Sequence, residues 1–242
     1  MEIEIDTAAV HEIVRSEYAQ TRADLAAFGP MQALQSSQAR HDARLESAHD
    51  AASLACKGGC FWCCYFSVDV RPVEVLRIVD VMRGLPVAEQ QRIAAEARAN
   101  RTVLAEMSEE DRARHNVKCP FLAVGRCAIY AARPQTCRNY HATNSLGCRL
   151  AFEQPDNVDI DPEFAPGVYQ AGLAHVEAFS KALRDERYDT RAYELNSALA
   201  LTLEDPERRY AAFAERERVF PELGGTEVQF ELVDDQYGSI GM

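Results

Sequence analysis

Four cysteines crowd into nine residues, Cys56-Lys-Gly-Gly-Cys60-Phe-Trp-Cys63-Cys64, and four more follow at Cys119, Cys127, Cys137 and Cys148. This grouping limits the folds open to the chain more than any other feature. Eight thiols so placed are either bridged, buried as small apolar groups, or bound to a metal. Short spacings such as Cys60-x-x-Cys63 let two sulfurs turn towards one ion, and Gly58 and Gly59 permit the tight loop this requires. Thiolates are soft ligands that suit Zn²⁺ and iron–sulfur clusters alike. Cys63 and Cys64 are adjacent, so their side chains are expected to diverge, serving two sites or sending one thiol into the core. Eight cysteines allow two four-thiolate sites, or one site with spare thiols. Cys56 and Cys148, at the outer ends of their segments, are the easiest to spare.

The choice between metal and disulfide depends on compartment. Met1 to Asp6 is short and acidic, unlike a secretory leader, and no run of 18 apolar residues occurs. A cytoplasmic protein is the expectation, and in that reducing setting clustered cysteines read as metal ligands rather than disulfides. A net charge of −12 argues against tracking nucleic-acid phosphates or adsorbing to anionic lipid. The expected partner is therefore a metal ion or cluster, with no nucleic acid and no membrane.

Hydrophobic periodicity predicts a mainly α fold: six or seven helices around an irregular, loop-rich cysteine centre, with one or two short strands. Val10, Ile13, Val14, Tyr18, Leu25 and Phe28 recur at helical spacing until Gly29-Pro30, and a second helix is expected from about Met31 towards Leu54. Tyr65–Val70 reads as extended, Pro72–Met82 as a helix, and Pro86 as the start of another reaching about Met107. Residues 108–118 read as a loop, and 119–148 as loop with one helical turn at Ile129–Ala132. In the last third, Val168, Val176, Phe179 and Leu183 form an apolar stripe, and Asp189-Thr190 and Asp205-Pro206 look like caps of two further helices. Val228, Phe230 and Leu232 alternate as a strand would. These readings divide the chain into N-terminal helices (1–55), a cysteine-cluster core (56–148) and a C-terminal helical region (149–242).

The first cluster, followed by Cys119-Pro-Phe-Leu-Ala-Val-Gly-Arg-Cys127 and the stretch from Cys127 through Arg133-Pro-Gln-Thr-Cys137-Arg-Asn-Tyr140, resembles the YkgJ-type cysteine-cluster family. That family is named for its CxxCxxCC pattern and regarded as zinc- or iron-chelating. The resemblance spans 56–148, and Cys60, Cys63, Cys64, Cys119, Cys127 and Cys137 match position by position. One departure is the three-residue gap between Cys56 and Cys60. The resemblance implies a bound metal. Through the related flagellin lysine N-methylases, it also brings in S-adenosylmethionine-dependent protein methylation as an alternative activity.

Other features compete for attention. Cys119-Pro120 is similar to the ending of ferredoxin-type cluster motifs, whereas an all-cysteine zinc site needs only four thiolates in an irregular loop. Cys56-x3-Cys60-x2-Cys63 has the spacing of radical S-adenosylmethionine enzymes, but the alternating strands and helices of their barrel are missing from the pattern. Arg133, Arg138 and His141 beside Cys137 are candidate cofactor-binding groups, although the arginines more simply pair with carboxylates and lock the loop. His41-Asp42 and His49-Asp50 repeat a dipeptide on the helix leading to the cluster, and solvated imidazoles are the simpler reading. Trp62 either shields the centre or packs in the core. The functions left open are a structural or redox metal protein, a metal-dependent enzyme, and a metal-trafficking protein.

Overall fold

The computed structural model describes residues 7–157 and 159–227. Gly29, in the left-handed backbone region at φ 78°, breaks the first helix, and Pro30 enters the first turn of the second. The result is a helical hairpin: α1 (Thr7–Phe28) and α2 (Pro30–Ser47) fold back so that Arg40 grips the fully buried Glu17 with two 2.8 Å hydrogen bonds. The long apolar helix α8 (Pro166–Asp185) packs on both. Its His175 stacks on His41 with ring centroids 4.7 Å apart, and its Nε2 lies 2.9 Å from Ser37 Oγ. His41 is thus buried rather than solvated, because the apolar face of α8 covers that side of α2, while His49, beyond the end of α2, stays exposed.

Helix α3 (Pro72–Met82) lies at the centre of the main core. Glu74 caps the start of α3 by accepting the Arg71 backbone N–H at 2.8 Å, and it also accepts the Gln135 backbone N–H at 2.7 Å, which moors α6 (Gln135–Asn139) to α3. α4 (Val87–Leu104) and α9 (Leu195–Glu204) pack together beside it, followed by α10 (Pro206–Ala214). One continuous core joins Leu34, Val73, Ile78, Ile93, Phe121, Ile129, Phe179, Leu199 and Phe220. Two small antiparallel sheets complete the frame: β1 (Asp69–Val70) with β4 (Tyr193–Glu194), and β2 (Leu122–Ala123) with β3 (Arg126–Cys127). Ten α-helices occur among the described residues, so the mainly α class holds with more and shorter helices than periodicity predicts. No described helix is long and apolar enough to cross a membrane.

Several boundaries differ from expectation for local physical reasons. α2 stops at Ser47, and 51–53 form a separate 3-10 turn. The Asp50 carboxylate turns instead to the N-terminus of α8, accepting from Gly167 N at 2.7 Å and Val168 N at 3.0 Å, where it also meets the positive end of the helix dipole. A Cβ on Gly167 would sit 2.5 Å from His49 Cε1, so this approach needs glycine. The presumed loop 108–118 holds a short helix, α5 (Glu109–Ala113), capped by Ser108 and Asp111. Asp189 caps no helix. It accepts from Tyr193 Oη and Val219 N, and Glu194 caps α9 instead. Asp205 caps α10 as expected. The alternation at Val228, Phe230 and Leu232 lies outside the described residues.

Burial holds His41 well below the usual imidazole value, aided by the facing His175 and Arg138. Burial, then Arg44 and Arg40, brings His175 down to about 3. Both rings are therefore neutral when folded. The unfolded chain takes up these two protons below about pH 6.5 and the folded chain does not, so stability falls with acidity, approaching about 1.4 kcal/mol per pH unit for each ring. Urea-unfolding midpoints are expected to drop between about pH 7.5 and about pH 5.5, and His41→Leu should flatten that slope. A midpoint constant over this range would refute the neutral pair.

Candidate metal centre

The cysteine loops are built from backbone hydrogen bonds first. Cys60 N donates to Lys57 O at 3.0 Å across Gly58-Gly59, with Gly59 at φ 91°. A 3-10 turn (Trp62–Tyr65) then carries Cys63 and Cys64. The second segment lies along the first, with Cys119 N donating to Cys64 O at 2.7 Å and Val117 N to Tyr65 O at 2.9 Å. At the other end, Ala55 N donates to Ala142 O at 2.9 Å, and Ala142 bridges to Phe164. The loop before Cys56 and the loop after Cys137 are therefore fastened together.

Three further elements deliver the remaining thiols. The β2–β3 hairpin turns through Val124 and Gly125, both at positive φ (48° and 70°), and sets Cys127 opposite Leu122. Two central residues with positive φ match the right-handed twist of a hairpin, but Val at such a position is strained by about 1–2 kcal/mol. Helix α6 carries Cys137. Its Asn139 fits against α8 because position 172 is glycine, where a Cβ would lie 1.6 Å from Asn139 Oδ1. Helix α7 (Ser145–Glu153), capped by Asn144, carries Cys148 and presses Phe152 between Trp62 and Tyr65, at centroid distances of 5.3 and 4.8 Å. Trp62 thus belongs to an aromatic cluster that joins the 62–65 turn to α7.

All eight cysteines are free thiols, so the disulfide alternative has no counterpart here. Cys63 is their electrostatic hub. Contrary to expectation, it does not diverge from Cys64. The two side chains are in hydrogen-bond contact within the tight 3-10 turn, and this contact, followed by burial, drives the Cys63 thiol strongly upward. Burial and then the neighbouring Cys127 and Cys63 push Cys119 up to about 12. Cys137 is raised by burial, then by Cys119, Cys63 and Cys127, and Cys127 by burial, with Cys63 adding to it. These four form one neighbourhood. Cys56, Cys60 and Cys148 form a second, also in reach of Cys63, in which burial followed by Cys56, Cys63 and Cys60 lifts Cys148 to about 11. Cys148 and Cys56 therefore sit among the other thiols rather than apart from them.

Two backbone groups oppose the rise. The N–H of Phe121 points at the Cys119 sulfur and that of Ile129 at the Cys127 sulfur, each two residues on. Such donors stabilise thiolate over thiol. Cys119-Pro120 thus lacks an adjacent donor and takes the next one, which motif spacing alone does not reveal.

The flanking polar residues divide by role. Arg138 is almost fully buried, pairs with Asp42, and donates through Nε to Arg133 O at 3.1 Å. It locks the loop. Arg133 stacks over the Tyr130 ring at 4.0 Å, lies 3.6 Å from Asp42, and exerts its positive charge on Cys56, Cys63 and Cys127. Its buried Nε has no hydrogen-bond partner among the described residues. His141 is half-buried, and burial and then Arg133 hold it below the usual imidazole value. Tyr140 packs edge-on against Phe164 at 5.0 Å, and burial followed by Cys148 raises its hydroxyl.

The donor set fits a soft metal: thiols alone, gathered around one hub, with backbone N–H groups and one guanidinium favouring the ionised form. Among the described residues, no three His, Cys, Asp or Glu side chains stand where they could together hold a metal ion, so the chemistry of the donor set, and not a ready-made geometry, is what favours a metal. Residues 55–158 match the family model CxxCxxCC, whose description reads "Putative zinc- or iron-chelating domain". The match takes in all eight cysteines, and the resemblance read from their spacing holds over this segment. Comparisons with curated proteins and with solved structures returned no match.

The raised thiols carry a kinetic consequence. In reduced, metal-free protein, less thiolate exists at a given pH than in an unfolded chain. Iodoacetamide should therefore modify Cys119 and Cys137 at least ~tenfold more slowly at pH 8 than after denaturation, as read by peptide mass spectrometry. Equal rates would contradict the burial assigned to these sulfurs.

Proposed function

We propose that the cysteine-rich segment holds Zn²⁺ or an iron–sulfur cluster through its thiolates, with Cys63, Cys119, Cys127 and Cys137 as the inner set. The observation that supports this most is that four separate elements, the 62–65 turn, the 117–119 segment, the β2–β3 hairpin and α6, bring Cys63, Cys119, Cys127 and Cys137 within electrostatic reach of one another. Thiols pressed together in a buried setting repel one another once ionised, and a cation among them removes that repulsion. Zinc would supply a redox-inert cross-link there, and an iron–sulfur cluster an electron-carrying one.

The chain's own residues have distinct parts in this reading. Phe121 N–H and Ile129 N–H stabilise two thiolates, and Arg133 offsets part of the negative charge the sulfurs acquire. Trp62 and Phe152 pack on each other and tie the turn that carries Cys63 to α7. Cys56, Cys60 and Cys148 are positioned as a second thiol group around the same hub. The centre acts as a structural clamp on irregular backbone, because residues 117–144 hold only short helices and a two-residue-per-strand hairpin.

The test is iron, zinc and acid-labile sulfide content of protein purified without oxygen, together with its visible spectrum. Stoichiometric zinc without sulfide, or iron with matching sulfide and absorption near ~400 nm, supports the reading and separates its two forms. Cys63→Ser and Cys137→Ser should each lose most of the metal, and Cys148→Ser should keep it. Metal-free protein with eight titratable thiols would overturn the proposal, and loss in Cys148→Ser equal to that in Cys137→Ser would overturn the inner set.

A further inference from the structure

A cleft of about 470 Å³ opens on the outer side of the cysteine loops, lined by Phe61, Tyr65, Leu122, Val124, Arg92 and Lys118 among others. Its size falls within the range of small-molecule sites. Its walls come from the stretches that carry the thiols: Phe61 follows Cys60, Tyr65 follows Cys64, Lys118 precedes Cys119, and the Val124-Gly125 tip leads to Cys127. The tip faces Phe61 across the cleft, with Phe61 Cδ1 3.9 Å from where a Cβ of Gly125 would stand.

Two features of this cleft have no explanation within the chain. Val124 holds a left-handed backbone at φ 48°, where Asn is the favoured residue of such a turn, yet its side chain is 102% exposed and packs on nothing. Lys118 gives hydrogen bonds to Glu96 at 2.9 and 3.3 Å, both to one carboxylate, and an ammonium has three N–H donors. One donor therefore remains for the cleft. The charges themselves are already matched: Arg92 is held by Glu89 and Glu96 and gives a further bond to Pro120 O, and Lys118 is held by Glu96. With two carboxylates balancing two cations, a charged ligand would leave the cleft with a net charge, and a neutral one would not.

The geometry points to a binding site for a small, uncharged aromatic molecule with a hydrogen-bond acceptor oxygen. Its ring lies against Phe61 and Tyr65, its oxygen accepts from Lys118 Nζ, and Val124 closes over its edge. Aromatic walls favour offset or edge-on ring packing, and the spare ammonium donor selects a carbonyl-type oxygen. The site is independent of which metal the sulfurs hold.

Ligand-observed NMR titrations of the protein as isolated test this with three probes: 2-acetylnaphthalene, naphthalene and 2-naphthoate. Saturable binding of 2-acetylnaphthalene is expected, about fivefold tighter than naphthalene, as one net hydrogen bond allows. Lys118→Met should erase that difference while leaving naphthalene bound. Val124→Asn should raise the melting temperature, by relieving the turn, and still weaken both ligands, a pairing that a purely structural role for Val124 would not give. Metal content measured on the same samples should stay constant in both variants, so failure here is separable from failure of the metal reading. No saturable binding, equal affinity for 2-acetylnaphthalene and naphthalene, or tightest binding of 2-naphthoate would each overturn the proposal.

Discussion

Thiols packed around one another in a partly buried loop cannot all ionise unless positive charge joins them. The centre of this protein depends on that constraint. Burial and mutual proximity push Cys119, Cys127 and Cys137 upward, and contact with Cys64 does the same to Cys63. The Phe121 and Ile129 N–H groups and Arg133 work in the other direction without cancelling it. A site so balanced is held by protons when empty and by a cation when filled, which links its loading to pH and to the order of its loops.

The helical frame supplies what such loops cannot supply themselves. Cys137 rides on a helix of five residues, too short to be stable alone. That helix is fixed from three sides: Gln135 N–H to Glu74 of α3, Asn139 into the space left by Gly172 of α8, and Arg138 to Asp42 of α2. The polar layer of Ser37, His41 and His175 lies within the α2–α8 packing that carries two of those anchors. Acid, whose protons these imidazoles take up only when unfolded, therefore favours loss of the same packing that holds Cys137.

The outer face of the centre follows a different economy. Inside, the closest helix approach is fitted to glycine at position 172. Outside, the hairpin tip spends strain on an exposed valine, and Lys118 retains a donor beside two aromatic walls. Strain that no internal contact offsets is best explained by a contact outside the chain.

The sequence by itself determined the helical class and marked the cysteine segment that matches a zinc- or iron-chelating family model. Cysteine spacing is local and chemically specific, and the stripes of α1 and α8 repeat often enough to be read. It also marked Pro72 and Asp205 as helix starts, because Pro and a capping carboxylate act within one turn. Only the tertiary structure decided which thiols become neighbours, since the pairing of Cys119 N with Cys64 O, the β2–β3 hairpin and the mooring of α6 on Glu74 are long-range contacts that leave no periodic trace. The same holds for His41, buried because α8 arrives from far along the chain, and for Asp50, which serves the end of a distant helix. The short helices α5, α6 and α7 escaped notice because fewer than three turns give too few repeats to stand out, and their stability comes from what they are fastened to.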